Sequence, residues 1–149
     1  PDLGILITRH GKGFRFDYSI LREPAKRVGR RLANLSEGDE VLAVKPADGD
    51  IVVVLSDSGR LPAFPVYQVP VLSGAGQGVR MIKLSQGGSV KEMVILRHED
   101  RLLVKYGKSR EKVLRARDIP LVVRGAQGKD LFPGIREISC VVLEEETAK

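Results

Sequence analysis

The chain repeats itself, and the period of that repeat limits its fold more than any other feature. GILITRHGKGFRF (Gly4 to Phe16) aligns with VVVLSDSGRLPAF (Val52 to Phe64) at an offset of about 48 residues, and LLVKYGKSREKVL (Leu102 to Leu114) follows about 50 residues later. In the first two copies a β-branched run meets a polar turn holding Gly11 or Gly59. A basic residue follows, Lys12 or Arg60, and then a second run ending at Phe16 or Phe64. In the third copy Ser109 stands in the place of the turn glycine and Arg110 follows it. Downstream, FPVYQVP (Phe64 to Pro70) corresponds to LRARDIP (Leu114 to Pro120). GAGQG (Gly74 to Gly78) corresponds to RGAQG (Arg124 to Gly128), and AKRVG (Ala25 to Gly29) holds that place in the first copy. Each copy closes on another strand-like run: VLAVK from Val41, VKEMVILR from Val90 and ISCVVLE from Ile138.

Short Val- and Ile-rich runs separated by Gly or Pro turns read as strands, and no long window carries the i, i+3, i+4, i+7 spacing of a helix. The best helical candidate, Ser19 to Leu35, is broken by Pro24 and Gly29. The repeats, residues 3–49, 50–99 and 100–144 with an acidic tail at 144–149, therefore predict an all-β, propeller-like array of about three four-stranded antiparallel blades. Three blades do not close a propeller. The expectation is an open arc, part of a larger ring, or self-association through open blade edges. The chain starts at Pro1 and enters strand-like sequence at once, which reads as a fragment of something longer.

With 149 residues, 42% hydrophobic and 30% charged, the chain has the composition of a folded protein with a real core. No apolar run approaches the roughly 20 residues that span a bilayer, so no membrane segment is expected. The lone Cys140 excludes an internal disulfide and, within an apolar run, reads as a small buried thiol. His10 and His98 lie in turn-like settings without metal-ligand spacing and read as surface residues. No serine, nor Cys140, has a recognisable base partner. Phe14, Phe16, Phe64 and Tyr67 fall at strand positions suited to a core rather than to stacking on bases.

The stretch Gly74-Ala75-Gly76-Gln77-Gly78 invites comparison with a phosphate cradle. A dinucleotide fingerprint needs a helix opening on its last glycine and an acidic residue about 20 positions on. Here VRMIKL follows and reads as a strand, without a Lys-hydroxyl pair. A tight loop needing positive φ is the better reading, or a loop that admits the close approach of a nucleic-acid backbone.

Lys and Arg number 25 against 19 Asp and Glu, a formal net charge of +6. In the alignment they recur at equivalent places. Lys12, Arg60 and Arg110 follow the first hairpin turn. Lys26, Arg27, Arg30 and Arg31, then Arg80 and Lys83, then Arg124 and Lys129 lie in or beside the glycine-rich loop, and the third copy adds Lys108, Lys112 and Arg115. Recurring cations on recurring modules form a curved stripe that meets phosphates without reading bases. The competing reading is a solvated strand surface on which Lys and Arg discourage edge aggregation. The acidic run Glu144-Glu145-Glu146 is either a solubilising tail or a competitor for that stripe.

The residues Gly59, Arg60, Phe64, Pro65, Val66, Val69 and Pro70, then Gly74 to Gly78 and Val79 to Leu84, resemble a blade of the C-terminal domain of the A subunit of bacterial DNA gyrase and topoisomerase IV. The resemblance implies a β-pinwheel in which each blade exchanges a strand with its neighbour and the outer rim binds DNA. It implies sequence-nonspecific binding and bending of duplex DNA, so that the transported segment is positioned and the substrate's topology is discriminated. The implied partners are double-stranded DNA, the ATPase B subunit of the enzyme, and the remainder of the A subunit, in the bacterial cytoplasm. No cofactor is implied in this chain; ATP and magnesium would serve the holoenzyme at sites outside it. The family's DNA-cleaving tyrosine follows an arginine, whereas Tyr18, Tyr67 and Tyr106 follow Asp17, Val66 and Lys105, so no catalytic residue is expected. The gyrase signature close to Q-R-R-G-G-R-G has no copy here. AKRVGRR, GAGQGVR and RGAQGKD keep the glycine and part of the charge, which favours a topoisomerase IV-like or truncated domain. The rival from another class is a propeller-like protein-interaction module whose positive charge is incidental.

Overall fold

A computed structural model describes residues 2–19, 33–73, 76–128 and 137–143, and in them ten strands form three antiparallel sheets. The first sheet contains β1 (Leu3–Thr8), β2 (Lys12–Asp17) and β3 (Val41–Pro46); the second contains β4 (Ile51–Ser56), β5 (Ala63–Pro65) and β7 (Val90–Leu96). The third consists of β8 (Arg101–Tyr106), β9 (Arg110–Arg115) and β10 (Ile138–Leu143) in the order β10-β8-β9. Each sheet thus opens with the hairpin seen three times in the sequence. Gly11 (φ +89°) and Gly59 (φ +86°) turn the first two hairpins; the third is turned by Gly107 (φ +62°), two residues ahead of the Ser109 that aligns with them. Only a residue without a Cβ adopts such angles at little cost.

Repeat and sheet do not coincide. The two-residue strand β6 (Val79–Arg80) belongs to the second repeat but pairs with β2, placing Lys12 opposite Arg80 and Gly13 opposite Val79. The first sheet is therefore ordered β3-β1-β2-β6. Before β6 the same crossing segment runs along Arg15, whose N–H donates to the Pro70 carbonyl (2.7 Å) and whose carbonyl accepts the Leu72 N–H (2.8 Å). The third repeat treats the second alike: the Val122 N–H donates to the Ala63 carbonyl (2.8 Å). Gly78 (φ +78°) and Gly128 (φ +79°) end these two crossings, and at each a Cβ would strike the neighbouring repeat, at the Gly13 carbonyl oxygen and at Pro62 respectively. Gly78 thus answers to close backbone approach as well as to its turn. Only Val79 and Arg80 of VRMIKL form a strand; Met81 and Ile82 leave it to enter the core.

Stacked sheets explain why β4 is buried at all six positions, and apolar from Ile51 to Leu55, instead of alternating. Ile51, Val53 and Leu55 face a core shared with the third sheet, where they meet Leu102, Val104 and Ile138. Val52 and Val54 face the core shared with the first sheet, among Ile5, Ile7, Phe64, Met81 and Met93. Leu6, Phe14 and Phe16 form a third cluster on the far face of the first sheet. Tyr67 departs from expectation. It is 74% exposed, because Val66 to Gln68 form a single 3-10 turn after Pro65 rather than a strand. Most of the helical candidate at 19–35 and the acidic tail lie outside the described residues.

Two substitutions in one repeat separate these environments. Phe64→Ala is expected to cost about 3–5 kcal/mol in urea-induced unfolding, the range for emptying a packed aromatic site. Tyr67→Ala should stay within about 0.5 kcal/mol of the parent, as exposed positions do.

Candidate nucleic-acid interface

The crossing segments bring cations from different repeats together. Lys12, half-buried, and Arg80, exposed, are directly opposed on β2 and β6. From the third repeat, Arg124 reaches the same junction. Its Nη1 donates to the Arg80 carbonyl (2.7 Å), its Nε to the Gln68 carbonyl (2.8 Å), and its backbone N–H to Gln68 Oε1 (2.8 Å). The neighbouring Gly125 (φ +90°) lies against the Arg80 backbone and side chain. Lys83 is exposed a little further on, its N–H donating to the Ala126 carbonyl (3.1 Å). Lys12, Arg80, Lys83 and Arg124 thus gather from three repeats at one seam.

Their roles differ. Arg124 is half-buried with its guanidinium committed to two carbonyls, and Arg60 is likewise tied, Nη1 donating to the Gly128 carbonyl (2.9 Å). Both fasten one repeat to the next. Arg80 and Lys83 present their charge to solvent, with Lys12 beside them. The ion pairs Arg9–Glu40 and Arg97–Asp48 and the His10–Asp39 and His98–Asp50 contacts, those seen among the described residues, use none of these cations.

On the third sheet Lys108, Arg110, Lys112 and Arg115 are all exposed. Arg110 lies 5.3 Å above the centre of the Tyr106 ring, a cation–π contact. Arg115 is the register partner of Arg101, which gives a second opposed basic pair. Arg101 escaped the repeat alignment; its signal was its symmetry with Arg115 about the hairpin turn. Lys112 pairs with the buried Val104 and shares its face of the sheet, so it borders the core while its own side chain stays exposed. Sequence reasoning also missed Arg15, whose Nε donates to the Val69 carbonyl (2.8 Å), and Gln68, which orients Arg124. Neither recurs in the repeats. Lys26, Arg27, Arg30, Arg31 and Lys129 lie outside the described residues.

The titratable groups away from this seam are structural. Burial alone would raise the Asp39 pKa, but hydrogen bonds from Thr8 and from the His10 and Glu40 N–H groups, with nearby His10, outweigh it and hold the carboxyl below its ordinary value. His10 and His98 are exposed as expected, and no His/Cys/Asp/Glu group suited to a metal ion occurs among the described residues. Cys140 is buried, and burial followed by the Glu92 carboxylate pushes its pKa up to about 12.

An all-β array of repeats, interlocked by crossing segments and carrying cations at the seam, defines a propeller-type repeat domain. The family model described as DNA gyrase C-terminal domain, beta-propeller, matches residues 5–48 and 50–96, and the chain belongs to that family. It is 31% identical over 104 residues to the A subunit of DNA gyrase from Klebsiella oxytoca, covering 69% of this chain and 12% of that protein. It is 29% identical over 103 residues to the A subunit of DNA topoisomerase 4 from Rickettsia bellii (strain RML369-C), covering 68% and 14%. The chain therefore spans only a small part of these relatives. In fold it is similar to the E. coli ParC C-terminal domain (TM-score 0.73, 21% identity, covering 94% of this chain and 60% of that one). It is also similar to the C-terminal domain of DNA topoisomerase IV (TM-score 0.72, 16% identity, covering 94% and 46%).

Two outcomes follow from this geometry. Arg124→Ala should lower unfolding stability by about 2 kcal/mol, since it strips a charged donor from two carbonyls, whereas Lys83→Ala should leave stability unchanged; denaturant titration of both decides it. Native Cys140 should resist iodoacetamide at pH 8 and react only on unfolding, and prompt alkylation of the folded chain would contradict its burial.

Proposed function

We propose that this chain is part of the DNA-holding domain of a bacterial type IIA topoisomerase, within its A subunit, where it grips and bends duplex DNA through the phosphates without reading bases. The observation that carries this reading is the seam: Lys12, Arg80 and Lys83, from two repeats, stand together with no carboxylate paired to them among the described residues. Cations held by a rigid sheet and left unneutralised suit a polyanion, because each phosphate they meet releases condensed counterions. The opposed pair Arg101 and Arg115 supplies a further contact on the third sheet. Such contacts fix the register of a duplex and carry no sequence information. A domain of this kind holds the segment to be transported and biases the enzyme toward particular DNA crossings. ATP hydrolysis, magnesium binding and strand cleavage belong to the ATPase B subunit of the enzyme and to the rest of the A subunit, in the bacterial cytoplasm. Arg60 and Arg124 serve the interface indirectly, by holding the repeats in register.

A salt titration tests the reading. With about six phosphates engaged, log affinity for a short duplex should fall against log salt with a slope of about −5, and Lys12→Glu, Arg80→Glu and Lys83→Glu together should flatten it by about 3. A steep slope that the triple variant leaves intact would move the interface elsewhere. A flat titration of the parent would remove the function.

A further inference from the structure

Two large apolar side chains on this surface stand apart from the rest. Tyr67 is 74% exposed and Val123 73%, and no other large hydrophobic among the described residues exceeds 50%. They come from different repeats and converge on one joint. Each is the chain neighbour of a residue in the Gln68–Arg124 pair, in which the Gln68 carbonyl accepts Arg124 Nε (2.8 Å) and Gln68 Oε1 accepts the Arg124 N–H (2.8 Å). The same guanidinium donates to the Arg80 carbonyl (2.7 Å), so the joint borders the cationic seam. Tight turns fix both backbones. The Val69 N–H donates to the Val66 carbonyl (3.1 Å) around Tyr67, and the Ala126 N–H donates to the Val123 carbonyl (3.1 Å).

A following repeat does not account for this exposure. The third repeat is already seated against Gln68, and it leaves Tyr67 open. Ser73 holds the place of Val123 one repeat earlier and is exposed too, with a repeat following it. In the third repeat the place of Tyr67 is held by Arg117, again exposed on a 3-10 turn (Ala116–Asp118). A position that offers an aromatic ring in one repeat and a guanidinium in the next suits a nucleic acid, on which both pack. Single exposed apolar side chains are ordinary on any protein surface. A pair held rigidly beside unneutralised cations is poorly suited to an apolar protein partner, which would have to bury Arg80 and Lys83 unpaired.

We infer that Tyr67 and Val123 form an apolar ledge that packs on the deoxyribose edge of the minor groove of a bound duplex, while Arg80 and Lys83 hold its phosphates. The inference rests on the DNA-holding reading above and adds to it a contact that is not ionic. Sugars are alike at every base pair, so the ledge strengthens the grip without reading sequence, and apolar groups pressed into a minor groove favour a bent duplex. Cation contacts set how steeply affinity falls with salt, whereas the ledge makes a contribution that salt leaves unchanged.

The test is a salt titration of a short fluorescein-labelled duplex, comparing the parent with the double variant Tyr67→Ala, Val123→Ala and with Tyr67→Phe. The double variant should bind about tenfold more weakly at every salt concentration, on the parent's slope and with a urea midpoint close to the parent's. Tyr67→Phe keeps the ring and should bind like the parent. In the parent complex, NOEs should join the Tyr67 ring protons to minor-groove deoxyribose protons. Parent-like affinity of the double variant on an equally steep slope would overturn the inference and leave the phosphate grip standing. A shallower slope for the double variant would also overturn it, because the loss would then lie in displaced cations, as would a ring that shows no NOE to any sugar proton. A flat titration of the parent would remove the DNA-holding reading itself, and the ledge with it.

Discussion

No described sheet that shares its edge with a following repeat is completed by its own sequence. The outer side of β2 is closed by Pro70, Leu72, Val79 and Arg80, and the outer side of β5 by the segment around Val122. This borrowing is the constraint on which the rest depends. A hairpin alone is marginal in water, and its edge backbone must be paired or covered. Closing one repeat with the next solves both problems and fixes the angle and spacing of successive sheets, because the crossing segment is also part of the core that separates them. Met81 and Ile82 show this directly: they follow β6 without a break and are fully buried between the first and second sheets.

The same geometry sets the position of charge. A crossing segment must return to solvent after pairing, and it does so at a glycine-rich turn beside the start of the neighbouring hairpin. Basic residues in those two places, dispersed along the sequence, become neighbours. Lys12 and Arg80 are 68 positions apart by number (80 − 12) and directly opposite in the sheet. Arg124 reinforces the seam from a third repeat by committing its donors to backbone carbonyls. The result is a division of labour in which some arginines hold the seam closed while neighbouring cations keep their charge available.

Much of this architecture was legible in the sequence, for physical reasons that differ by element. The repeat, the turn glycines Gly11 and Gly59, and the buried Phe14, Phe16 and Phe64 all leave marks in residue type, since φ > 0 and close packing restrict which side chains fit. The resemblance implied strand exchange, but residue pattern alone could not show it, because backbone hydrogen bonds impose no periodicity on the strand that makes them. Tyr67 misled for a related reason: Pro65 ends the strand, and the 3-10 turn that follows carries a strand-like composition without strand burial. In the candidate site the alignment found Lys12, Arg80 and Lys83 but could not tell them from Arg60 and Arg124, since a solvated cation and one bound to carbonyls read alike. Lys112 is exposed although its register partner Val104 is buried, a placement at the edge of the core that residue type alone does not show.

Native-state hydrogen exchange tests the interlock most directly. The Leu72, Met81 and Val122 amides donate to Arg15, Gly11 and Ala63 carbonyls across repeat boundaries. If each sheet depends on the next repeat, these three should exchange only through the opening that also releases Ile5 and Val53 in the interior strands, with matching free energies. Rapid exchange at Leu72, Met81 and Val122 while Ile5 and Val53 stay protected would show that the crossings are ornaments on sheets stable without them, and would contradict the account.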